Sequence, residues 1–309
     1  MRLLIVGAGS TGGYFGGRLA QAGRDVTFLV RKGRADQLKA TGLQIVSPHG
    51  DVALTPKLVT AETVASPYDA IILTVKAHSL DTALKDITPA VGPKTMIVPV
   101  LNGMRHVDSI VAAFGQDALA GGLCSIAAAL DDQGRIVQLS QFHNFVYGEM
   151  NGSRSERIEQ LDAVMQNAGF DARLSSNIEQ DMWNKWMFLA TLAGVTCLMR
   201  GTIGDIAGAP GGADFVGRFF DEVVSVASAH GHAPGASFLD PTRALLTEQG
   251  STLTSSMYRE LMKNSPIEAD QIIGDLLARG KQAHVDTPLL AAAYVNLATT
   301  RLSGGQTLD

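Results

Sequence analysis

The stretch LLIVGAGSTGGYFGGRLAQAG, residues 3–23, decides the fold of the chain. Four apolar residues suited to a buried strand run directly into a glycine-rich turn, and a helical pattern follows that ends near Gly23. A G-x-G-x-x-G turn is weak by itself, because a chain with 33 glycines matches it easily by chance. Placed between a strand and a helix, it predicts the first turn of a dinucleotide-binding βαβ unit.

The residue types in this turn suit a bound pyrophosphate. Gly7 permits the tight turn, Gly9 removes a Cβ so that the backbone can approach the phosphates, and Gly12 lets the helix pack closely on the strand. The start of the helix supplies N–H donors and the positive end of a dipole. The alternative is a glycine turn that binds nothing. The predicted phosphate-binding residues are Gly7, Ala8, Gly9, Ser10, Thr11 and Gly12.

A basic residue follows the second predicted strand, where an NAD site usually has an acidic one. Arg31 lies 19 residues after Gly12. A carboxylate there would bind the ribose 2′-hydroxyl of NAD, whereas a guanidinium can bind the 2′-phosphate of NADP. The sequence therefore favours NADP, with Lys32 and Arg34 as possible helpers. The alternative is a solvated basic turn.

Two patterns divide the chain. The first half alternates β-rich runs with helical patterns, which predicts a parallel sheet with helices on both faces. Residues 119–149 are strand-rich, and we expect the far edge of that sheet there. From residue 177 onward the apolar period is 3.6, which predicts helices near 178–200, 213–231, 240–249, 253–264, 266–283 and 288–302. The fold class is thus α/β, with a Rossmann-type domain, residues 1–176, followed by an all-helical domain, residues 177–309.

Composition excludes several classes of function. With 25 Lys+Arg against 30 Asp+Glu, the net charge of −5 provides no overall basic field for nucleic acid or a membrane surface. Two cysteines, Cys124 and Cys197, rule out a disulfide scaffold or a multi-cysteine zinc site, and the histidines show no metal-binding spacing. The first apolar run is too short for a signal peptide, and the longest, residues 186–199, is too short to cross a bilayer. We therefore expect a cytoplasmic protein without a metal.

Four stretches, taken in order, carry a resemblance to a known family. They are VGAGSTGGYFGGRLAQAG with Arg31, LTVKAHSLDTAL, LNGM, and the pair DMWNKW with SSMYRELMKNSPIEAD. Together they resemble the ketopantoate reductase (2-dehydropantoate 2-reductase) family over nearly the whole chain. The resemblance implies a Rossmann domain, a helical domain and an active site in the cleft between them.

The resemblance also implies roles for individual residues. Lys76 would contact the cofactor, and Asn102 would lie beside both the nicotinamide and the substrate. Lys185 would be the catalytic lysine, which protonates the alkoxide that forms when a hydride reaches a ketone carbon. Ser256 would bind the substrate carboxylate, and Glu268 would orient Lys185 or bind a substrate hydroxyl.

Each of these residues also has a structural explanation. Lys76 could be an ordinary solvated lysine, Asn102 could serve the turn Asn102-Gly103, and Lys185 could pair with Asp181 one helical turn earlier. Ser265, Pro266 and Glu268 have the pattern of a capping box, with Ser265 as the N-cap and Glu268 three residues on.

The chain departs from the family at three positions. Leu189, Ala193 and Leu253 stand where the family typically carries asparagine. If the correspondence is right, polar contacts to the hydroxy-acid end of the substrate are lost, and discrimination for it should fall. A larger or more apolar 2-oxo acid is therefore an alternative substrate.

The leading hypothesis is an NADPH-dependent reductase of 2-dehydropantoate, which would make pantoate for pantothenate biosynthesis. Two alternatives remain open: a reductase of the same architecture for another 2-oxo or β-hydroxy acid, and an NADP-sensing protein without turnover. The expected partner is a small-molecule 2-oxo acid, not nucleic acid or a membrane. A homodimer is compatible with the resemblance, and the sequence does not set the oligomeric state.

Overall fold

The structure is a computed structural model that describes the backbone of residues 1–303 and the side chains of residues 1–300. It divides into two compact units, one of residues 1–101 and 106–179 and the other of residues 102–105 and 180–309. The last six residues of the predicted helical domain, 304–309, lie outside the described part. The first unit is α/β and the second is helical, which confirms the predicted fold class.

All strands of the described residues lie in the α/β unit. They are β1 (Arg2–Val6), β2 (Asp25–Leu29), β3 (Leu43–Val46), β4 (Val52–Leu54), β5 (Lys57–Val59), β6 (Ala70–Leu73), β7 (Met96–Pro99), β8 (Gly121–Leu130), β9 (Ile136–Gly148) and β10 (Asp171–Leu174). Its helices are α1 (Ser10–Gln21), α2 (Lys32–Thr41), α3 (Leu80–Ile87), α4 (Arg105–Phe114) and α5 (Glu156–Met165).

The first sheet is parallel throughout, in the order β5-β2-β1-β6-β7. Side chains of β1 alternate between two cores: Leu3 and Ile5 pack with α1, whereas Leu4 and Val6 pack with α3 and α4. A strand buried on both faces has to be apolar at every position, which explains the continuous run Leu3–Val6. The carboxyl ends of β1, β2, β6 and β7 meet at one edge of this sheet.

The strand-rich residues 119–149 do not form the predicted far edge of the first sheet. They fold into β8 and β9, an antiparallel pair that belongs to a second sheet with β3, β4 and β10. Among the described residues, pairing with the edge strand β7 is limited to an isolated bridge between Leu119 and Ile97. The reason is the length of β9, whose 13 residues pair in parallel with both β3 and β10 along its other edge.

Helix α1 packs against both sheets through its glycines. A Cβ on Gly16 would lie 2.6 Å from Phe28 of β2, and one on Gly17 would lie 2.8 Å from Ile45 of β3. The helix is therefore held from two directions, which fixes the position of its N-terminus.

The helical unit contains seven of the described helices, the first of which begins two residues before the unit does. They are α6 (Ile178–Met199), α7 (Ile203–Gly208), α8 (Gly212–Ala229), α9 (Ala236–Leu246), α10 (Ser256–Met262), α11 (Asp275–Gln282) and α12 (Pro288–Ser303). A π-helical turn, Asp270–Gly274, leads into α11.

Helix α8 is central to this unit. It packs against α7, α9, α11 and α12. It also approaches α6, because a Cβ on Gly194 would lie 2.3 Å from the ring of Phe219. The sequence did not predict α7, and it placed the start of α9 four residues too late because Pro241 lies inside that helix. Among residues 1–303, no helix has both the length and the apolar character needed to cross a membrane.

Candidate active site

The glycine-rich turn links β1 to the N-terminus of α1. Gly7 adopts φ +97°, and its N–H donates to the Leu29 carbonyl of β2 over 2.9 Å. Gly9 is the N-cap of α1 and has no side chain with which to cap it. The first turn of α1 carries no acidic residue, so its N–H groups suit an anionic ligand.

The two later glycines of the turn have opposite surroundings. A Cβ on Gly12 would lie 2.1 Å from Oγ1 of Thr74 and 2.2 Å from the Gly7 carbonyl oxygen. A Cβ on Gly9 would meet no atom of the described residues within 4 Å. The turn is thus closed toward the sheet and open at Gly9, as a phosphate cradle requires.

Thr74, which the sequence did not single out, holds this turn from the neighbouring strand. Its hydroxyl donates to the Val6 carbonyl over 2.7 Å, directly after the end of β6. One feature of the sequence could have indicated this residue: Thr74 is the polar residue that follows the apolar run 70–73, two positions before Lys76.

Arg31 and Lys76 emerge from the same edge of the first sheet. The guanidinium of Arg31 donates to Oγ of Ser79 over 3.0 Å, and Lys76 is the N-cap of the short 3₁₀ turn Ala77–Ser79. Both side chains are exposed. The pair therefore offers two positive charges beside one edge.

Arg34 and Lys32 have other partners. Nε of Arg34 donates to the Ala8 carbonyl over 3.1 Å, and its Nη1 donates to the Gly134 carbonyl in the β8–β9 turn over 3.0 Å. Lys32 forms an exposed ion pair with Asp36. Arg34 thus braces the glycine-rich turn through its backbone, a contact that the sequence did not predict.

Asn102 and Gly103 follow β7 and pack in the helical unit. The Asn102 carbonyl accepts a hydrogen bond from Nε2 of Gln271 over 3.1 Å. Gly103, with φ +78°, is buried against the backbone of Gln271. The turn chemistry predicted for this dipeptide is present, and it is fixed to the π-helical turn.

Lys185 is half-buried on α6, and its neighbours in the sequence include the buried Trp183 and Trp186. The rings of Trp183 and Trp186 lie 5.0 Å apart, and Nε1 of Trp186 donates to the Ile272 carbonyl over 2.9 Å. This bond ties the turn of α6 that carries Lys185 to the π-helical turn.

The predicted capping box at Ser265 is wrong. Helix α10 ends in a Schellman motif, in which Asn264 has φ +53° and the Ser265 N–H donates back to the Glu260 carbonyl. Ser265 therefore ends one helix instead of beginning the next. Glu268 lies just before the π-helical turn, where its carbonyl accepts from the Ile272 N–H over 3.0 Å. A capping box with Ser265 thus does not explain the Glu268 carboxylate.

Ser256 is exposed at the first position of α10, beside the buried Ser255. Ser255 caps α10, and its Oγ lies 3.1 Å from Oγ1 of Thr196 on α6. Burial raises the pKa of the neighbouring Cys197 thiol to about 12, which keeps it protonated. The pattern places Lys185, Leu189 and Ala193 on one face of α6, at positions i, i+4 and i+8.

The structure brings the predicted residues together in two groups. The glycine-rich turn, Arg31 and Lys76 belong to the α/β unit. Asn102, Lys185 and Glu268 belong to the helical unit, where Asn102 and the turn of α6 with Lys185 are each joined to residues 268–272, the segment that contains Glu268. Ser256 also belongs to the helical unit, and its helix is joined to α6 near Thr196.

Family models match both halves of the chain. The model described as Ketopantoate reductase PanE/ApbA matches residues 3–152, and its C-terminal counterpart matches residues 177–300.

The chain belongs to the ketopantoate reductase family.

This confirms the resemblance predicted from the four sequence stretches. Among the relatives of this ketopantoate reductase family member is the "Uncharacterized oxidoreductase YkpB" of Bacillus subtilis, which is 37% identical over 96% of this chain and 98% of the relative. A 2-dehydropantoate 2-reductase of Mesorhizobium japonicum is 26% identical over 94% of this chain and 95% of that protein. The chain is thus an oxidoreductase, as predicted.

A solved structure has the same fold. The 2-dehydropantoate 2-reductase of Methylococcus capsulatus superposes with a TM-score of 0.88 at 26% identity, over 100% of this chain and 99% of the other. The family defines the fold and the class of reaction, and the substrate of this member depends on its own residues.

Proposed function

We propose that this chain uses NADPH to reduce a 2-oxo acid, with 2-dehydropantoate as the leading substrate and pantoate as the product. The observation that carries the proposal is that Asn102 and the turn of α6 with Lys185 are each hydrogen-bonded to one short segment, residues 268–272, which itself contains Glu268. The family's established relatives include several 2-dehydropantoate 2-reductases, which supports the same reaction here.

The glycine-rich turn fits the pyrophosphate of the cofactor. Open space at Gly9 admits a phosphate, and the N–H groups at the start of α1 can donate to it. Arg31 and Lys76 would hold the 2′-phosphate, which supports NADPH over NADH. When bound, NADPH supplies the hydride for the ketone carbon of the substrate.

The residues of the helical unit supply the remaining chemistry. Lys185 donates a proton to the alkoxide oxygen, and its charge stabilises the negative charge that develops there. Asn102 orients the substrate and Ser256 binds its carboxylate. Glu268 orients Lys185 or accepts a hydrogen bond from a substrate hydroxyl.

A second candidate substrate follows from three apolar side chains. Leu189, Ala193 and Leu253 cannot form the hydrogen bonds that asparagine would offer at the same positions, so a hydroxyl-bearing substrate loses partners there. A bulkier and more apolar 2-oxo acid would lose nothing. A third candidate, an NADP-binding sensor without turnover, would leave Lys185 and Glu268 without a chemical role.

The first experiment follows NADPH absorbance with the purified chain and a panel of acids: 2-dehydropantoate, pyruvate, a branched 2-oxo acid and an aromatic one. A kcat/KM of about 10⁴ M⁻¹s⁻¹ or more with 2-dehydropantoate alone supports the leading proposal. Good turnover only of a bulkier acid replaces the substrate and keeps the mechanism. NADPH binding without turnover of any acid supports the sensor.

Lys185→Ala tests the proposed proton donor. We expect kcat to fall by about 10²- to 10⁴-fold, the usual contribution of a general acid, while NADPH still binds. Lys281→Ala, which removes an exposed lysine of α11, is the control and should retain activity. An unchanged kcat in Lys185→Ala would remove Lys185 from the mechanism.

We also propose that the enzyme acts in the cytoplasm on a small molecule alone. A homodimer stays a prediction of the family resemblance, and light scattering of the purified chain checks it.

A further inference from the structure

The π-helical turn Asp270–Gly274 is an irregular element at the start of α11, and it is firmly braced. The Tyr294 hydroxyl of α12 donates to Oδ1 of Asp270 over 2.6 Å. A Cβ on Gly274 would lie 2.9 Å from the same tyrosine ring. Single π-helical turns cost regular hydrogen bonding and frequently occur at functional sites. Contacts with Tyr294 therefore hold this irregular turn in one geometry.

One residue of this turn, Gln271, has a buried polar side chain. It is 4% exposed, and its Nε2 donates to the Asn102 carbonyl over 3.1 Å. A buried amide donor is costly to leave without an acceptor, and so is a buried carbonyl without a donor. This bond therefore holds the Asn102 peptide in one orientation.

The backbone of Gln271 constrains the next residue. Gly103 adopts φ +78°, and a Cβ there would lie 2.5 Å from the Gln271 carbonyl oxygen. The dipeptide Asn102-Gly103 is thus held by the side chain of Gln271 and packed against its main chain. A shift of Gln271 has to shift Asn102.

The next residue of the turn contacts the helix of Lys185. The Ile272 carbonyl accepts from Nε1 of Trp186, which directly follows Lys185. Two successive residues of the π-helical turn therefore set the segments that carry Asn102 and Lys185 relative to each other. Misplacement of a catalytic group by about 1 Å can reduce a rate by about 10²-fold.

We propose that Gln271 is a positioning residue, which acts through its amide donor to hold Asn102 in register with Lys185. The inference rests on the proposed function, because Asn102 orients the substrate there. Gln271 acts through Asn102, whose carbonyl accepts from its Nε2. A purely structural role in the interior of the helical unit is the alternative.

Two substitutions separate these roles. Gln271→Met keeps the size and removes the donor, so we expect kcat/KM for the 2-oxo acid to fall by about 10-fold or more, within the range for misplaced groups. Gln271→Glu provides a donor only when its carboxyl is protonated. For this variant, kcat/KM relative to wild type should rise as the pH falls from 8 to 5.5, whereas the ratio for Gln271→Met should stay flat.

The control is Thr191→Val, which removes a buried hydrogen bond from the Thr191 hydroxyl to the Met187 carbonyl in the same unit. It should leave kcat/KM within about twofold of wild type, although it loses a bond of the same kind. A folded Gln271→Met variant with wild-type kcat/KM overturns the proposal. So does a Gln271→Glu variant whose kcat/KM relative to wild type falls as the pH drops.

Hydrogen exchange tests, without any turnover, whether Gln271 anchors the segment of Asn102; this contact is called the anchor below. In Gln271→Met, amides of residues 101–106 should exchange at least about 10-fold faster than in wild type, and Thr191→Val should not change them. Unchanged exchange in Gln271→Met overturns the anchor itself. If wild type reduces no acid while the exchange result holds, the proposed function fails and the anchor stands.

Discussion

Gly9 and Gly12 stand three residues apart in one turn, and they are needed for different reasons. The Cα of Gly12 faces the first sheet, where Thr74 and the Gly7 carbonyl leave no room for a side chain. The Cα of Gly9 faces open space in the structure. A side chain at Gly9 should therefore affect ligand binding, whereas a side chain at Gly12 should affect folding.

Gly9→Ala should fold normally and bind NADPH poorly. The added methyl group meets no described atom in the protein but occupies the space of a phosphate, so we expect the Kd for NADPH to rise by about 10-fold or more. Gly12→Ala should instead destabilise the α/β unit, by about 1–3 kcal/mol for an overpacked site. Cofactor titration and thermal unfolding measure the two effects, and equal loss of stability in both variants would contradict this distinction.

The proposed preference for NADPH over NADH depends mainly on one side chain, that of Arg31. Arg31→Ala removes a charge that would pair with the 2′-phosphate, so the ratio of kcat/KM with NADPH to kcat/KM with NADH should fall by about 10-fold or more. Lys94→Ala is the control, because Lys94 is an exposed lysine just before β7, at the opposite edge of the first sheet. A ratio that stays constant in Arg31→Ala would assign the preference elsewhere.

At the scale of elements, helix ends show how tertiary contacts replace local signals. The helix α12 begins with a cap supplied from another helix: the carboxylate of Glu222 on α8 accepts from the N–H groups of Leu289 and Leu290 over 3.0 and 2.9 Å. A capping box formed within one segment also occurs, between Thr202 and Asp205 at α7. Neither cap was predicted.

Glu222→Ala should destabilise the helical unit by about 1–2 kcal/mol, since it removes a charged cap from two backbone donors. Arg218→Ala, on the same helix, breaks only an exposed ion pair with Asp214 and should change the free energy of unfolding by about 0.5 kcal/mol or less. Both tryptophans of the chain lie in α6, so their fluorescence follows this unit during unfolding. Equal effects of the two substitutions would exclude the cap.

At the scale of the whole molecule, one buried histidine should make the stability of the α/β unit depend on pH. The buried His143 of the α/β unit accepts or donates at Nδ1, 2.6 Å from the Tyr14 hydroxyl of α1, and its ring stacks on His49. Burial lowers the pKa of His143 from its ordinary 6.5, with further lowering by His49 and Arg18 against an opposing effect of Asp171.

The sign of the pH effect follows from this lowered pKa. Below about pH 6.5, His143 is protonated in the unfolded chain but still neutral in the folded chain. The stability of the α/β unit therefore falls as the pH drops from about 6.5 toward the lower pKa of the folded state. Hydrogen exchange of α1 at pH 7.5 and 5.5, corrected for intrinsic rates, measures the loss. His143→Phe should reduce the pH dependence and His78→Asn should not; equal dependence in all three proteins would contradict the assignment.

The sequence by itself determined the parallel order of strand, glycine-rich turn and helix at the start of the α/β unit, and the family. These depend on local order, because a strand, a G-x-G-x-x-G turn and a helix must follow one another within residues 3–23 to form the unit at all. Period sufficed for the long helices α8 and α12, because each buries one apolar face. Helix α6 is recognisable from the length of its apolar run instead, since residues 191–197 are buried on every side.

Only the tertiary structure decided where the second sheet lies and what Ser265 and Gln271 do. The sequences of β8 and β9 are equally compatible with an extension of the first sheet and with a second sheet. Their position depends on which distant strands they pair with. Ser265 has the residue type of an N-cap, yet the Schellman end of α10 already uses its N–H. A buried glutamine is indistinguishable in sequence from an exposed one until its partner, 169 residues away, is known.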